Sequence, residues 1–460
     1  MNGKLKELPV QKNGEYSAQV ESLTHDGLGV ARVEGFPVFL SNALPQEEVL
    51  FSPTLMKKNF AFGRVVDILK ESPQRVTPLC PIYKQCGGCQ LQHLAYPAQL
   101  EEKQQLVASH LARIGKLDAQ LVLPTIGMEE PWRYRNKTQV PFGKDELGNV
   151  VAGFYKRRSH EIMDMGECLI QTEITDAIVR TVKELSQEFG IEPYDESSMT
   201  GIIRHLVVRI GFKTGEIMVT FVTKGKKFPY KDEVIERLLK EYKNIKSIAQ
   251  NINLKATNVI FGDETRILYG EPYIYDELDG IRFAISPRSF YQINPIQTEI
   301  LYKKAVEFAG LTGNEIVFDA YCGIGTITLF LARHAKKVYG VEIVPEAIAD
   351  AHSNARLNGV ENVQFEVGKS EAVIPKWLKE GIIPDVIVVD PPRKGCEKSL
   401  LEAFIEVAPK RIVYVSCDSS TLARDLAILA EGGYEVQAVQ PVDMFPQTNH
   451  IENVALLTRV

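Results

Sequence analysis

Several absences narrow this 460-residue chain before any motif is considered. It has no run of about 20 consecutive apolar residues, the length a helix needs to span a bilayer. The nearest approach, 316–332, is interrupted by Asp319, Gly323 and Gly325. The opening M-N-G-K-L-K-E-L-P-V-Q-K contains no apolar h-region, so no secretory leader is expected, and the chain reads as soluble, cytoplasmic and free of membrane contact. No G-x-x-x-x-G-K-S/T loop occurs, which argues against a P-loop NTPase. A large charge excess is missing too. Lys and Arg number 53 against 59 Asp and Glu, and a net charge of -6 argues against wholesale coating of nucleic acid.

Basic residues do gather locally. Between residues 131 and 158 seven of them (Arg133, Arg135, Lys137, Lys144, Lys156, Arg157, Arg158) face two acids, Asp145 and Glu146, a local excess of +5. Lys224, Lys226, Lys227 and Lys231 form a second group. A solvated charged face and a nucleic-acid grip are equally good readings of either cluster taken alone.

At roughly 150 residues per domain the length predicts about three domains. Residues 1–76 hold short alternating runs such as G-L-G-V-A-R-V-E-G-F-P-V-F-L, broken at Asp26-Gly27 and Glu34-Gly35, which predict a small β-barrel of the oligonucleotide-binding type. Residues 77–280 hold clustered cysteines, a helical stretch over 97–115 and mixed strands, which predict an α+β domain. From 281 to 460 strands alternate with helices, the pattern of a doubly wound α/β sheet. Its last two runs, Y-E-V-Q-A-V-Q and N-V-A-L-L-T-R-V, are too close for a helix between them, so they should pair antiparallel at one edge. The helix over 97–115 is a candidate to pack on this last domain.

Two apolar runs carry the chemistry. P-D-V-I-V-V-D ends at Asp390 before Pro391-Pro392-Arg393, and R-I-V-Y-V-S-C ends at Cys417. In open α/β sheets ligands bind at the carboxyl ends of strands, so a carboxylate and a thiol there suggest an active site. The sequence D-S-S-T-L-A-R after Cys417 caps a helix, whose N-terminal field is expected to lower the thiol pKa. Upstream, Asp319-Ala320-Tyr321-Cys322-Gly323-Ile324-Gly325 follows one strand and Glu342 ends the next. Glycines at a strand-to-helix turn let a ligand approach the backbone, and an acid at the second strand end can hold ribose hydroxyls. The third glycine of the dinucleotide fingerprint is missing, and the antiparallel final strand fits an S-adenosylmethionine domain better than a nicotinamide one.

The motifs D-P-P-R-K-G, V-S-C-D and Q-T-N-H-I-E-N-V, in this order, resemble those of the RNA uracil-5-methyltransferases, and the resemblance runs from end to end. It implies a TRAM-type barrel, a cysteine-bearing central region and a C-terminal class I, Rossmann-like methyltransferase domain. Within the family the chain is most similar to the branch acting on 23S rRNA in Gram-positive bacteria, since the tRNA enzymes are expected to lack the barrel and the clustered cysteines.

By the family mechanism Cys417 adds to carbon 6 of uracil and activates carbon 5, and Glu452 is the base that removes the carbon 5 proton. The resemblance puts Gln292, Tyr321, Glu342 and Asp390 on S-adenosylmethionine. Phe290 would stack on a base and Arg393 would reach an oxygen of uracil or phosphate. Lys369 stands where related enzymes carry Asn or Asp near adenine, and it is left without a role.

Cys80, Cys86 and Cys89 form C-x5-C-G-G-C, with Cys168 far downstream. In a cytosolic chain such thiols read as metal ligands. The resemblance implies a [4Fe-4S] cluster on all four, and zinc is the physical alternative because spacing alone does not separate the two metals. Cys322 and Cys396 read as packing or loop residues. The expected partner is an unstacked uridine in a folded segment of 23S rRNA, gripped by barrel and basic segment and acted on by a monomer. A tRNA substrate and a non-catalytic iron-sulfur RNA-binding protein are the alternatives. The intact set Gln292, Glu342, Asp390, Cys417 and Glu452 argues against the second.

Overall fold

A computed structural model describes residues 8–157 and 159–460; residues 1–7 of the expected leaderless start, and Arg158 of the basic group, lie outside the described residues. Strands β1 (Tyr16–Leu23), β2 (Gly29–Val33), β3 (Phe36–Ser41), β4 (Glu48–Met56) and β5 (Ala61–Lys70) close into a barrel in the order β1-β2-β3-β5-β4. Alternation dictates it: β3 buries Phe36, Val38 and Leu40 and turns Pro37, Phe39 and Ser41 outward. Between β2 and β3 lie only Glu34 and Gly35, at φ +48° and +82°, the positive pair a tight two-residue hairpin requires.

Helix α1 (Tyr96–His110) follows the cysteine-rich loop and continues as a π turn over Leu111–Gly115. Although it precedes the central strands in sequence, it packs on the C-terminal domain. Val107 and Leu111 share a hydrophobic cluster with Phe318, Val341 and Leu422, and backbone bridges join Val122 to Val439 and Ile126 to Val442.

The central sheet contains β6 (Lys137–Lys144), β7 (Val150–Tyr155), β8 (Ile162–Asp164), β9 (Ile203–Ile210), β10 (Ile217–Thr223), β11 (Ile245–Ile252) and β12 (Glu264–Gly270) in the order β12-β11-β10-β9-β6-β7-β8. Helices α2 (Glu173–Glu188) and α3 (Lys231–Glu241) accompany it, and α3 connects the parallel pair β10–β11. A hairpin of β13 (Ile274–Leu278) and β14 (Ile281–Ile285) leads on. Its Ile274, Leu278, Ile281 and Phe283 join the core of the C-terminal domain.

That domain contains α4 (Pro295–Ala309), β15 (Ile316–Ala320), α5 (Thr326–Ala332), β16 (Lys337–Glu342), α6 (Pro345–Leu357), β17 (Val363–Val367), α7 (Ser370–Lys379), β18 (Val386–Val389), α8 (Lys398–Val407), β19 (Arg411–Ser416), α9 (Ser419–Glu431), β20 (Tyr434–Val442) and β21 (Glu452–Arg459). The sheet order is β17-β16-β15-β18-β19-β21-β20, with β21 antiparallel to both neighbours, as the short connection between the last two runs requires. Helices cover both faces, so its central strands are mostly apolar. In β18, Val386 and Val388 feed one core cluster while Ile387 and Val389 feed the other. Each such side chain contributes about 1.5–3 kcal/mol on burial. The strand stops where Asp390 meets Pro391, whose ring nitrogen has no hydrogen to extend the ladder.

Candidate active site

The chain runs outward from β15 to β17 and returns to β18, leaving a crevice at the carboxyl ends of the strands where the order reverses. A cavity of about 1020 Å³ occupies it. All eight non-cysteine-cluster positions singled out from sequence line that one cavity: Phe290, Gln292, Tyr321, Glu342, Asp390, Arg393, Cys417 and Glu452.

Each side chain is placed by its element. Cys417 directly follows β19, and β21 pairs with it antiparallel, Ser416 opposite Asn453; one more step of that register sets Cys417 across from Glu452. Glu452 is only 4% exposed. Tyr321 has φ +136°, backbone space that L residues rarely adopt, at the turn between β15 and α5. Gly325 follows at φ +84°, where a Cβ would stand 3.3 Å from Ala351 and from Phe365. At Gly323 (φ +54°) a Cβ would meet nothing within 4 Å, so the backbone there is open to a ligand. Phe290 projects with 69% of its surface exposed. Its loop is held by the buried Arg209, which donates to the Ser289 carbonyl at 2.6 Å, and by Ser289 Oγ donating to Asp350 at 2.9 Å.

The electrostatics are dominated by buried acids. Burial pushes Asp390 up to about 6. Burial and the neighbouring Asp390 carboxylate drive Glu452 well above the usual carboxylate range, while Arg393 opposes the rise. Burial also raises Asp319 to about 7.

The Cys417 thiol is not lowered as the sequence suggested. Burial, then Glu452 and Asp390, push it up to about 12, and Arg393 is the side chain that acts the other way. The helix does start there, but its N-cap is Asp418, whose carboxylate accepts from the Ser420 and Thr421 amides and so offsets the positive end of α9.

Four of the other residues lining the cavity have no site role assigned from sequence, although the acid of the first loop, Asp319, favours an S-adenosylmethionine domain. Asp319 receives a 2.5 Å bond from Thr328 Oγ1 on one oxygen and has no partner for the other, although it is buried. Tyr302, from the middle of α4, is fully buried; after burial, the Asp390 charge is the largest influence raising its phenol. Phe445 and His450 come from the β20–β21 loop, their rings edge-on at 5.9 Å. A carboxylate in a glycine-bearing turn was the one available signal, at Asp319. Lys369 lines the cavity as well, at the N-cap of α7. Cys322 lines it in a buried position, and Cys396 is buried outside it.

A second, smaller cavity of about 140 Å³ brings Cys80, Cys86, Cys89 and Cys168 together. Among the described residues no group of three or more His, Cys, Asp or Glu stands close enough to hold a metal ion. The loop is braced by Arg157, which donates to the carbonyls of Cys86 at 3.0 Å and Cys89 at 2.8 Å.

The basic group from 131 to 158 is largely spent internally. Arg133 pairs with Glu167 and Asp176, Lys144 with Glu192, Lys156 with Glu161, and Lys137 is buried enough to fall to about 7. Among the described residues, Arg133, Lys144 and Lys156 are thus paired with acids rather than left as free positive charge. Among the described residues no helix is long and apolar enough to cross a membrane.

Comparison with known proteins agrees with this architecture. Residues 9–66 match the TRAM domain family and residues 311–438 a family described as a methyltransferase domain. An uncharacterized RNA methyltransferase of Halalkalibacterium halodurans is 58% identical over 449 residues, covering 98% of each chain. Another from Clostridium acetobutylicum is 52% identical over 457 residues, covering 99% of each.

Among solved structures, the tRNA (uracil-54, C5)-methyltransferase of Pyrococcus abyssi, in complex with S-adenosyl-L-homocysteine, superposes with a TM-score of 0.78 at 28% identity, covering 96% of this chain and 100% of its own. The part of this chain left uncovered is far shorter than the barrel, so the expectation that tRNA enzymes lack the barrel does not hold. With two cavity-lining strand-end residues, Cys417 and Glu452, in register, and relatives matching over nearly the whole length, the chain belongs to the RNA uracil-5-methyltransferase family.

Proposed function

We propose that this protein methylates carbon 5 of a uridine in RNA through a transient bond between Cys417 and carbon 6. The observation that carries the proposal is the register that sets Cys417 and Glu452 face to face in the cavity at the switch point of the sheet.

S-adenosylmethionine fits the residues present. Gly323 opens the backbone to a ligand, Asp319 presents a buried oxygen without a partner, and Glu342 ends β16 where ribose hydroxyls are usually held. When bound it supplies a methyl group activated on a sulfonium. Gln292, Tyr321, Glu342 and Asp390 hold it on this reading, and Asp319 joins them.

The protein's own groups then act on the base. Cys417 Sγ gives its proton to water in the open cavity and bonds to carbon 6, and the ring electrons displaced from the 5,6 double bond make carbon 5 nucleophilic. Arg393 favours both the thiolate and the charge that builds on the uracil oxygen. Once carbon 5 is alkylated, Glu452 takes its proton, the double bond reforms and the sulfur leaves. Phe290, exposed at the mouth, stacks on a base of the unpaired strand. One copy supplies every one of these groups, which suits a monomer.

The four thiols converging on one cavity fit a [4Fe-4S] cluster held by Cys80, Cys86, Cys89 and Cys168. Zinc on the same four thiols is the second reading. The cluster's contribution there is structural.

The proposed substrate is 23S rRNA, by resemblance to the Gram-positive branch. A tRNA substrate is the second reading, because the Pyrococcus abyssi tRNA enzyme shares the whole architecture. Mass mapping of rRNA and tRNA from cells with and without the protein decides between them: a 5-methyluridine lost only from 23S rRNA supports the first, one lost only from tRNA the second. RNA carrying 5-fluorouridine, whose carbon 5 has no proton to release, should form a denaturation-resistant adduct with the protein. No adduct, or one that survives Cys417→Ala, would overturn the covalent route.

A further inference from the structure

The loop from Asp443 to Ile451 joins β20 to β21, sends Phe445 and His450 into the large cavity and delivers Glu452. Asp443 at its start and Gln447 at its middle are held by different sets of contacts. Asp443, fully buried, is tied to α1: Lys103 Nζ donates to its Oδ1 at 2.6 Å and Tyr96 Oη to its Oδ2 at 2.9 Å. Gln447 is instead tied to the cysteine segment. Its carbonyl accepts from the backbone amides of Gln90 at 3.1 Å and Leu91 at 3.0 Å, the two residues directly after Cys89.

Gln99 locks that contact from α1. Its Nε2 donates to Gln447 Oε1 at 3.0 Å and to the Leu91 carbonyl at 3.1 Å, and its Oε1 accepts from the Gln447 amide at 3.2 Å. Both glutamines are buried, at 1% and 3% exposure, and Gln447 is held at φ +69°. A non-glycine residue in that conformation persists only when its surroundings fix it. Here its amide, its carbonyl and its side chain are all engaged.

We propose that Gln99 and Gln447 form the joint through which the segment carrying Cys80, Cys86 and Cys89 sets the position of the loop leading to Glu452. This rests on the reading of Glu452 as the base. Both are positioning residues that touch no reacting atom. The anchor of Asp443 does not pass through the cysteines, so disturbing them should free the loop at Gln447 and spare it at Asp443. The two cavities are thereby coupled through backbone, with no electron or proton passing between them.

The test uses the full-length protein, Cys89→Ser and Gln99→Met, singly and combined. Hydrogen exchange is followed in the loop, and decay of the RNA adduct is timed with a normal uridine substrate. Each single variant should lose protection at Gln447 while keeping it around Asp443 and β21, and should resolve the adduct about tenfold or more slowly, the scale of a displaced catalytic group. The affinity for S-adenosyl-L-homocysteine should not change.

The double variant should be no slower than the slower single one, because both substitutions break one joint. Unchanged protection at Gln447 in Cys89→Ser, or effects that multiply in the double variant, would overturn the proposal. If Cys89→Ser does not fold, chelator-treated wild-type protein gives the same exchange readout. Exchange does not depend on the reaction, so a failure of the covalent reading shows separately, as absence of the 5-fluorouridine adduct in the wild type.

Discussion

The two cavities both gather cysteine, and in both burial pushes thiols upward: Cys417 and Cys168 to about 12, Cys89 to about 11. Depth therefore does not distinguish them; what the sulfur faces does. In the small cavity thiol faces thiol, and each raises its neighbours further. In the large cavity the Cys417 thiol faces two acids, one guanidinium and a volume of about 1020 Å³. On the proposed reading the first arrangement holds a metal cluster. The second suits a planar ring that takes up negative charge as the sulfur bonds to it.

The sharpest way to break that contrast is to remove the Cys417 sulfur. Cys417→Ala should abolish methylation, a loss of at least about 10⁴-fold for a covalent nucleophile, while calorimetry shows S-adenosyl-L-homocysteine binding within twofold of wild type. Measurable turnover in the variant would place the nucleophile elsewhere. Cys80→Ala should leave some turnover, because on this reading its sulfur never meets the substrate.

Removing the base separates the halves of the reaction. Glu452→Gln keeps the shape and loses the carboxylate, so the bond to carbon 6 should form and its resolution should slow by about 10²–10⁴-fold, the usual worth of a general base. The protein–RNA adduct should then accumulate on denaturing gels with an ordinary uridine substrate. Turnover at the wild-type rate would assign the proton to another group.

Arg393 offers a smaller effect with a definite sign. Its guanidinium is the side chain that opposes the rise that burial, Glu452 and Asp390 impose on the Cys417 thiol, and it also restrains Glu452. Arg393→Leu should raise the thiol further, so the rise of single-turnover rate with pH should move to higher pH and the rate at pH 7.5 should fall by about tenfold to a hundredfold. A lower rate with an unmoved pH profile would mean that Arg393 only grips the RNA.

The contrast also explains what could be read in advance. The β3 alternation, the apolar β18 and β19 and the short β20–β21 connection are local patterns, and they gave the barrel, the wound sheet and the strand ends that carry Asp390 and Cys417. Glu452 was reached by motif, and only the register shows why it stands across from Cys417. Tyr302 was missed because a tyrosine at a buried position of α4 reads as ordinary core. The error over the thiol came from counting the helix N-terminus and leaving out burial and the charges of Glu452 and Asp390. Burial and the charges of neighbours decide a pKa, and those neighbours come from other elements of the fold, as Asp390 and Glu452 do for Cys417. The basic segment misled for the same reason, since Glu167, Asp176 and Glu192 sit beyond the window in which charge was summed.

Asp319 gives the mildest test and needs no RNA. Its usual pKa of 3.8 rises to about 7 in the folded chain because the carboxyl is buried with one oxygen unpartnered. A carboxyl raised on folding holds its proton in the native state while the unfolded chain has already released it. Stability is therefore lost as pH climbs from about 4 to about 7, and the loss is complete above that. Asp319→Asn removes the titration and keeps the contact with Thr328, so in cofactor-free protein the variant should melt a few degrees above wild type at pH 8 and no higher at pH 4. On the proposed reading the same substitution weakens S-adenosyl-L-homocysteine binding at pH 8, where the carboxylate is charged and free to accept. Higher melting with undiminished binding would leave Asp319 a buried acid of the core and remove it from the cofactor set.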